Sequence, residues 1–379
     1  MKFIHISDLH IGKRVNEFSM LEDQEYILKQ ILKIIDSENP QAVFIAGDVY
    51  DKSIPSTEAV TVLDSFLYKL SKRGIKTYII SGNHDSPERL AFASKLIELS
   101  GIYLSPVYNG TVKPNIINDD FGEVNIFMLP FIKPANVRRY FENENIDSYT
   151  DALKTAIDDM NIDTQKRNIL ITHQFVTGAT RSESEDISVG GTDNVDVKVF
   201  NGFDYVALGH IHRPQNCGSE RVRYCGTPLK YSFSEINDDK SVTIGEINEK
   251  GNLIIRTESL IPLHEMVKLK GKYNDLIAKS FYENTTYCSD YVYITLTDED
   301  DIPYVVDKLK SVYKNLMKLD YENTRTKSTS VLTPTADVET KSPIELFCDF
   351  YLSQNNQQLN DEQKEFTEKI IESIWENEQ

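Results

Sequence analysis

The sequence lacks a long apolar run, paired cysteines and a positive charge balance, and each absence narrows what the chain does. No stretch approaches the ~20 consecutive apolar residues of a membrane-spanning helix, so no membrane association is expected. The opening Lys2 to Ile6 reads as a strand rather than a signal peptide, which points to the cytoplasm. Cys217, Cys225, Cys288 and Cys348 are scattered and form no Cys-x-x-Cys pair, which speaks for free thiols rather than a zinc ribbon or a disulfide framework. Lys and Arg number 41 against 59 Asp and Glu, a net charge of −18, so charge alone will not hold this chain to nucleic acid. If DNA is the substrate, bound divalent cations, a local basic strip or a partner subunit must help. The phosphate loop GxxxxGK[ST] is also absent, so any ATP dependence must come from a partner.

What is present is an ordinary globular composition, 40% hydrophobic and 26% charged over 379 residues, enough for two or three folded units. As far as about Pro262, short apolar runs alternate with longer amphipathic stretches, the pattern of a sheet with helices on its faces. The runs Phe3 to Ile6, Ala42 to Ala46, Thr77 to Ile80, Ile126 to Leu129, Ile169 to Thr172 and Tyr205 to Leu208 are expected strands. Ser56 caps an expected helix running to Arg73, and Ser86-Pro87-Glu88 opens another over Leu90 to Leu99. From His264 the texture changes. Met266 to Leu269, Tyr291 to Leu296 and Met317 to Tyr321 read as strands and Ile302 to Leu316 as a helix, a small α+β unit. A Ser/Thr/Pro-rich linker follows, then helices over Pro343 to Ser353 and Asn360 to Trp375.

The chemistry lies just past the expected strands. Asp8 and His10 follow the first run, Asp48 the second, Asn83 and His84 the third, His173 a later one, and His210 and His212 the last. Carboxyl ends of parallel strands gather on one rim, so five distant segments can supply one centre. Carboxylates suit hard cations and imidazole suits first-row metals, and the Asn83 amide oxygen completes a shell without adding charge. So many ligands exceed the needs of one ion, whereas two ions about 3.5–4 Å apart, sharing a carboxylate and a water, would use them all. Residues two apart in extended chain point the same way, which would aim Asp8 with His10 and His210 with His212. Gly47, Gly82 and Gly209 each precede a ligand or ligand pair, where the missing Cβ permits a tight turn or close approach.

His84 is set apart as a group that stabilises transferring phosphoryl charge and helps the leaving oxygen take a proton, with Asp85 fixing its tautomer. The helix start at Ser86 would add positive potential near the phosphate. Lys13, Arg14, Arg138 and Arg139 are candidate phosphate contacts, against the usual fate of such residues as solvated charges. Asp51 suits a supporting role behind the centre or a turn cap equally, His5 suits a core histidine better than a ligand, and His264 carries no functional assignment.

These motifs resemble the calcineurin-like metallophosphoesterase superfamily, through Asp8-x-His10, Gly47-Asp48, Gly82-Asn83-His84-Asp85, His173 and Gly209-His210-x-His212. The chain departs from the GDxxDRG and GNHE of the superfamily's protein phosphatases, reading Gly47-Asp48-Val49-Tyr50-Asp51-Lys52-Ser53 and Gly82-Asn83-His84-Asp85. The stretches His173 to Val176, Ser182 to Glu185, Phe203 to Gln215 and Tyr224 to Glu235 are similar to its SbcD-type nuclease subunits, over nearly the whole chain.

The resemblance implies an α/β protein with a β-sandwich core flanked by helices, a small α+β capping domain and a C-terminal helical hairpin. The expected boundaries are 1–262 for the nuclease domain, 265–325 for the cap, 326–341 for the linker and 342–379 for the hairpin. It implies Asp8, His10 and His212 on one manganese ion, Asn83, His173 and His210 on the other, Asp48 bridging and His84 as the non-ligand catalytic histidine, with magnesium as a substitute metal. It implies a homodimer within a heterotetramer, formed through helices of the nuclease domain, for which those over 56–73 and 87–99 are the candidates, with the hairpin bound to an SbcC-type, SMC-like ATPase. The implied activity is ATP-dependent double-strand exonuclease and single-strand or hairpin endonuclease on DNA, in end processing, repair, recombination and replication, by a cytoplasmic protein that joins the nucleoid when on DNA.

Overall fold

The computed structural model describes residues 1–185, 193–324, 342–355 and 358–376. The chain divides into two compact units, Met1–Glu265 and Met266–Gln379. The expected linker at 326–341 lies outside the described residues.

All six expected strands form, and their apolar character follows from burial on both faces. Every residue of Ala42–Ala46, Arg167–His173 and Tyr205–Gly209 is buried, as parallel strands covered on two sides require. They divide between two six-stranded sheets, as the expected β-sandwich requires. The first runs Leu253–Ser259, Ser241–Ile247, Lys2–Ile6, Ala42–Ala46, Lys76–Ile80, Ile102–Leu104, with the last four parallel. The second runs Gln215–Cys217, Ser219–Tyr224, Tyr205–Gly209, Arg167–His173, Gly122–Leu129, Asn115–Asp119, parallel across its middle four.

The sheets meet face to face. Phe3, Phe44 and Tyr78 of the first pack with Ile126, Ile169 and Tyr205 of the second, and the Phe3 ring lies 4.9 Å from Phe44 and 4.8 Å from Tyr205. On the outer side of the second sheet, Leu153, Ala156 and Ile157 of helix Tyr149–Asp159 join Leu170 and Val206 in a further core. Helix Thr57–Lys72, capped by Ser56 at Ala59 N, lies against strand Lys76–Ile80 and beside helix Leu21–Glu38. The result is a helix-flanked β-sandwich.

Two helix expectations need correction. The segment after Ser86 breaks into Pro87–Leu90, Ser94–Ile97 and the 3-10 turn Glu98–Ser100, with Ala93 in the left-handed region at φ 57°. None of its residues is buried, so no packing holds a continuous helix together. A four-residue helix also has too little dipole for the expected contribution to phosphate binding.

In the second unit, Ile302 to Leu316 contains only the short helix Val305–Lys310, entered through left-handed Tyr304, and Leu316 already belongs to strand Asn315–Tyr321. That strand and Met266–Gly271 both pair in parallel with Tyr291–Leu296. Helices Pro343–Asn355 and Asp361–Glu376 follow the expected hairpin. No described helix is long and apolar enough to cross a membrane.

Candidate metal centre

Asp8, Asp48, Asn83 and His84 lie past strands of the first sheet, and His173, His210 and His212 lie at or past the ends of strands in the second. The two rims coincide, because His173 Nδ1 faces the Ala46 carbonyl at 2.8 Å and His210 N donates to Asp8 Oδ1 at 3.0 Å. The centre is therefore built across the sandwich.

Side-chain direction comes from turns, not from strand alternation as expected. Asp8, His10, Asp48 and His210 take φ values of 52°, 43°, 46° and 103°, which costs a non-glycine residue about 1–2 kcal/mol each. Backbone bonds across the rim hold the turns, with Asp8 N on Gly47 O at 3.0 Å and His10 N on Asp48 O at 2.9 Å. Two glycines are there for close approach. A Cβ on Gly82 would collide with the Asp48 carboxylate, and one on Gly209 with the Ala46 carbonyl and the His173 ring.

The donor atoms fall into two groups around Asp48. In one, His10 Nε2 and His212 Nε2 are 3.2 Å apart with Asp8 beside them. In the other, Asn83 Oδ1 lies 3.0 Å from both His173 Nε2 and His210 Nδ1. Asp48 Oδ2 stands between, 3.3 Å from His173 Nε2 and 3.7 Å from His10 Nε2. Ligands at right angles around an ion with bonds of about 2.1 Å sit about 3.0 Å apart, so these spacings fit cations in both groups. Burial fits too, since Asp8, His10, Asp48, His173, His210 and His212 are all buried.

Electrostatics favours neutral imidazoles at His10, His210 and His212 and a protonated one at His173, beside ionised Asp48. Burial holds His10 and His212 below the ordinary histidine range and takes His210 down to about 3. Burial pushes Asp48 up, yet His173, His10 and His84 together bring its carboxyl well below the usual range. Burial likewise pushes His173 down, but Asp48 and Asp8 prevail and raise it to about 9. Asp8 is pushed up to about 7, mainly by burial.

His84 stands at the edge of the centre. Its amide donates to Asp48 Oδ1 at 2.9 Å, and its side chain is 23% exposed, with Nε2 3.9 Å from Asp48 Oδ2. Its tautomer partner is not Asp85. His84 Nδ1 meets the Asp51 carbonyl at 3.1 Å, and because a carbonyl only accepts, Nδ1 carries the hydrogen and leaves Nε2 toward the centre. Both Asp85 oxygens are taken by the amides of Val49, Tyr50 and Gly82 at 2.9–3.1 Å. Asp85 ties the Asp48 loop to the Asn83 loop.

Gln24 and Tyr231 were not singled out from the sequence. Gln24 Nε2 donates to the His10 carbonyl at 2.7 Å and Tyr231 OH to the Leu9 carbonyl at 2.6 Å, bracing the left-handed turn. A glutamine inside a helical pattern gives no signal of such a partner.

Of the expected phosphate contacts, Lys13 is drawn into an ion pair with Asp51 at 2.8 Å, and Arg14 donates to the Glu17 carbonyl. Arg138 and Arg139 are exposed where helix Pro134–Arg138 ends. His5 is a buried core residue with Nδ1 2.9 Å from Tyr205 OH, and His264 pairs with Asp23 at 3.1 Å. All four cysteines are free.

Residues 1–214 match the family model described as calcineurin-like phosphoesterase, and residues 262–355 match one described as type 5 capsule protein repressor C-terminal domain. The D subunit of the nuclease SbcCD in Staphylococcus epidermidis is 35% identical over 323 residues, 84% of this chain and 85% of the relative. Its namesake in Staphylococcus saprophyticus subsp. saprophyticus is 32% identical over 380 residues, 99% of each chain. Among solved structures, a dimetal phosphatase from Danio rerio is 12% identical with a TM-score of 0.40, covering 69% of this chain and 96% of that one.

Because His173 at about 9 and Asp8 at about 7 hold protons that a cation must displace, cation affinity should rise with pH toward about 9 and then level. Titration calorimetry with manganese, in buffers of different ionisation enthalpy, should show proton release at pH 7. An affinity constant from pH 6 to 9 would contradict the electrostatic account.

Proposed function

The chain belongs to the calcineurin-like phosphoesterases, and among them to the SbcD family of nuclease subunits, and from that premise we propose that it is a two-manganese DNA phosphodiesterase that processes DNA ends with an SMC-like ATPase. The observation that carries the two-metal reading is the position of Asp48, its carboxylate reaching toward both donor groups at once. Asp8, His10 and His212 would hold one ion and Asn83, His173 and His210 the other, with magnesium able to replace manganese. When bound, the ions supply Lewis acidity and a water acidified for attack on phosphorus.

The chain's own residues do the rest. Asp48 is fixed by the His84 amide, which keeps its carboxylate aimed between the groups. His84, the most exposed imidazole at the centre, has Nε2 toward the space a phosphodiester would fill, where a proton taken up from solvent would stabilise the developing charge and then pass to the leaving oxygen. His10, Asp48 and His84 also lie close enough together to be read as a third ligand group. Arg138 and Arg139 are exposed beyond the carboxyl end of strand Gly122–Leu129, while Lys13 and Arg14 are engaged within the chain.

The substrate reading is tested by incubating the protein and manganese with a blunt linear duplex and, separately, with a phosphoserine peptide. Cleaved DNA and intact peptide are expected; phosphate released from the peptide with DNA untouched would sink the nuclease reading. In the same assay His84→Gln should lose a factor of ~10² or more while still binding two ions. Loss of one ion in that variant would make His84 a ligand instead.

Assembly rests on exposed apolar side chains. Phe347, Phe350 and Phe366 are exposed on the paired terminal helices, which suits docking on the ATPase. ATP would then act only through that partner, which would also bring cationic surface to the DNA. Removing residues 341–379 should abolish co-elution with the ATPase and leave the first unit folded by circular dichroism; unchanged co-elution would refute it. Phe92, Leu96 and Leu99 are exposed in the broken segment after Ser86, and Val60 and Tyr68 on helix Thr57–Lys72, which suits a homodimer inside a heterotetramer. Leu96→Glu with Leu99→Glu should give monomers by light scattering, and a persistent dimer would move the interface elsewhere.

A further inference from the structure

His212 is held at its amide, its carbonyl and both ring nitrogens. Its amide donates to Glu185 Oε1 at 2.7 Å, and its carbonyl accepts from Lys240 Nζ at 2.9 Å and Thr227 N at 3.1 Å. Its Nε2 faces His10. Its remaining polar atom, Nδ1, lies 2.6 Å from Ser184 Oγ, and that hydroxyl in turn meets Glu235 Oε1.

The direction of these bonds follows from which groups can donate. Glu235 is fully buried and ion-paired with Lys240 Nζ at 2.6 Å, and a carboxylate only accepts. Ser184 must then donate its one hydrogen to Glu235, which leaves its oxygen lone pairs to accept from His212 Nδ1. The hydrogen of a neutral imidazole is thereby placed on Nδ1, and the lone pair is left on Nε2.

Lys240 completes the assembly. Its three hydrogens go to Glu235 Oε2 at 2.6 Å, Thr227 Oγ1 at 2.8 Å and the His212 carbonyl. That fully used ammonium offsets the buried carboxylate and ties it to the ligand's own backbone.

We propose that Ser184 and Glu235 are positioning residues for the metal centre, a hydroxyl-bridged relay that sets the tautomer and ring orientation of His212 so that Nε2 alone serves the ion it shares with Asp8 and His10. The inference rests on the two-metal reading above. A carboxylate behind a ligating histidine raises its basicity and fixes its ring, and losing such support costs 10–100-fold in metal affinity. Here the carboxylate acts through a serine, since Glu235 Oε1 is itself 3.7 Å from Nδ1. Ser184 is half-buried and small, so its removal spares the Glu235–Lys240 pair.

The test uses the full-length protein stripped of metal, titrated with manganese by calorimetry, with thermal unfolding of the metal-free proteins in parallel. The wild type should bind two ions. Ser184→Ala should bind one of them about 10–100-fold more weakly and the other unchanged, melt like the wild type when metal-free, and be rescued by Ser184→Thr. Wild-type affinity for both ions in Ser184→Ala overturns the relay. So does a loss shared by both ions that tracks a lower metal-free melting temperature and that threonine does not repair, which marks a structural role. A wild type that binds no ion refutes the metal centre itself and the relay with it.

Discussion

The structure is organised around burying Asp48 ionised at the seam of two sheets. Removing a carboxylate from water costs several kcal/mol even after relaxation, and Asp48 shares its pocket with a second carboxylate, Asp8, whose charge adds to the strain. Positive charge must come from somewhere. His173 supplies part of it by taking up a proton, and the ring nitrogens of His10, His210 and His212, 3.0–3.2 Å from neighbouring N or O atoms, suit cations for the rest.

Such a centre needs rigid support, because four of its residues sit in backbone conformations that L side chains rarely adopt. The support is distributed through the fold. Asp85 ties two rim loops together, Gln24 and Tyr231 brace the turn at Leu9, and the sandwich core at Phe3, Phe44 and Tyr205 fixes how the sheets meet. His84 is the part left to approach from solvent. A centre built this way would separate the buried groups suited to cations from the partly exposed His84.

The sequence made the strands and the clustering of these carboxylates and imidazoles legible because both obey short-range rules: buried parallel strands are apolar throughout, and the clustered polar residues follow their carboxyl ends. The apolar pattern alone could not show that the strands divide between two sheets, because that depends on which faces pack at long range; the β-sandwich was implied by the family resemblance. The sequence misread the turns at Asp8 and His10 as extended, since left-handed φ at non-glycine residues is a tertiary imposition. Asp85 was assigned to His84 because they are neighbours in sequence, while its carboxylate in fact reaches across to Val49 and Tyr50. The helix after Ser86 had a sound cap and a regular pattern but no surface to pack on.

The central claim is that Asp48 bridges two cations at the junction of the sheets. Crystals grown with manganese and measured at its absorption edge test it directly. Two anomalous peaks about 3.5–4 Å apart, one beside His10 and His212 and the other beside His173 and His210, with Asp48 between them, is the predicted result. A single peak, or two peaks with Asp48 touching only one, would contradict it.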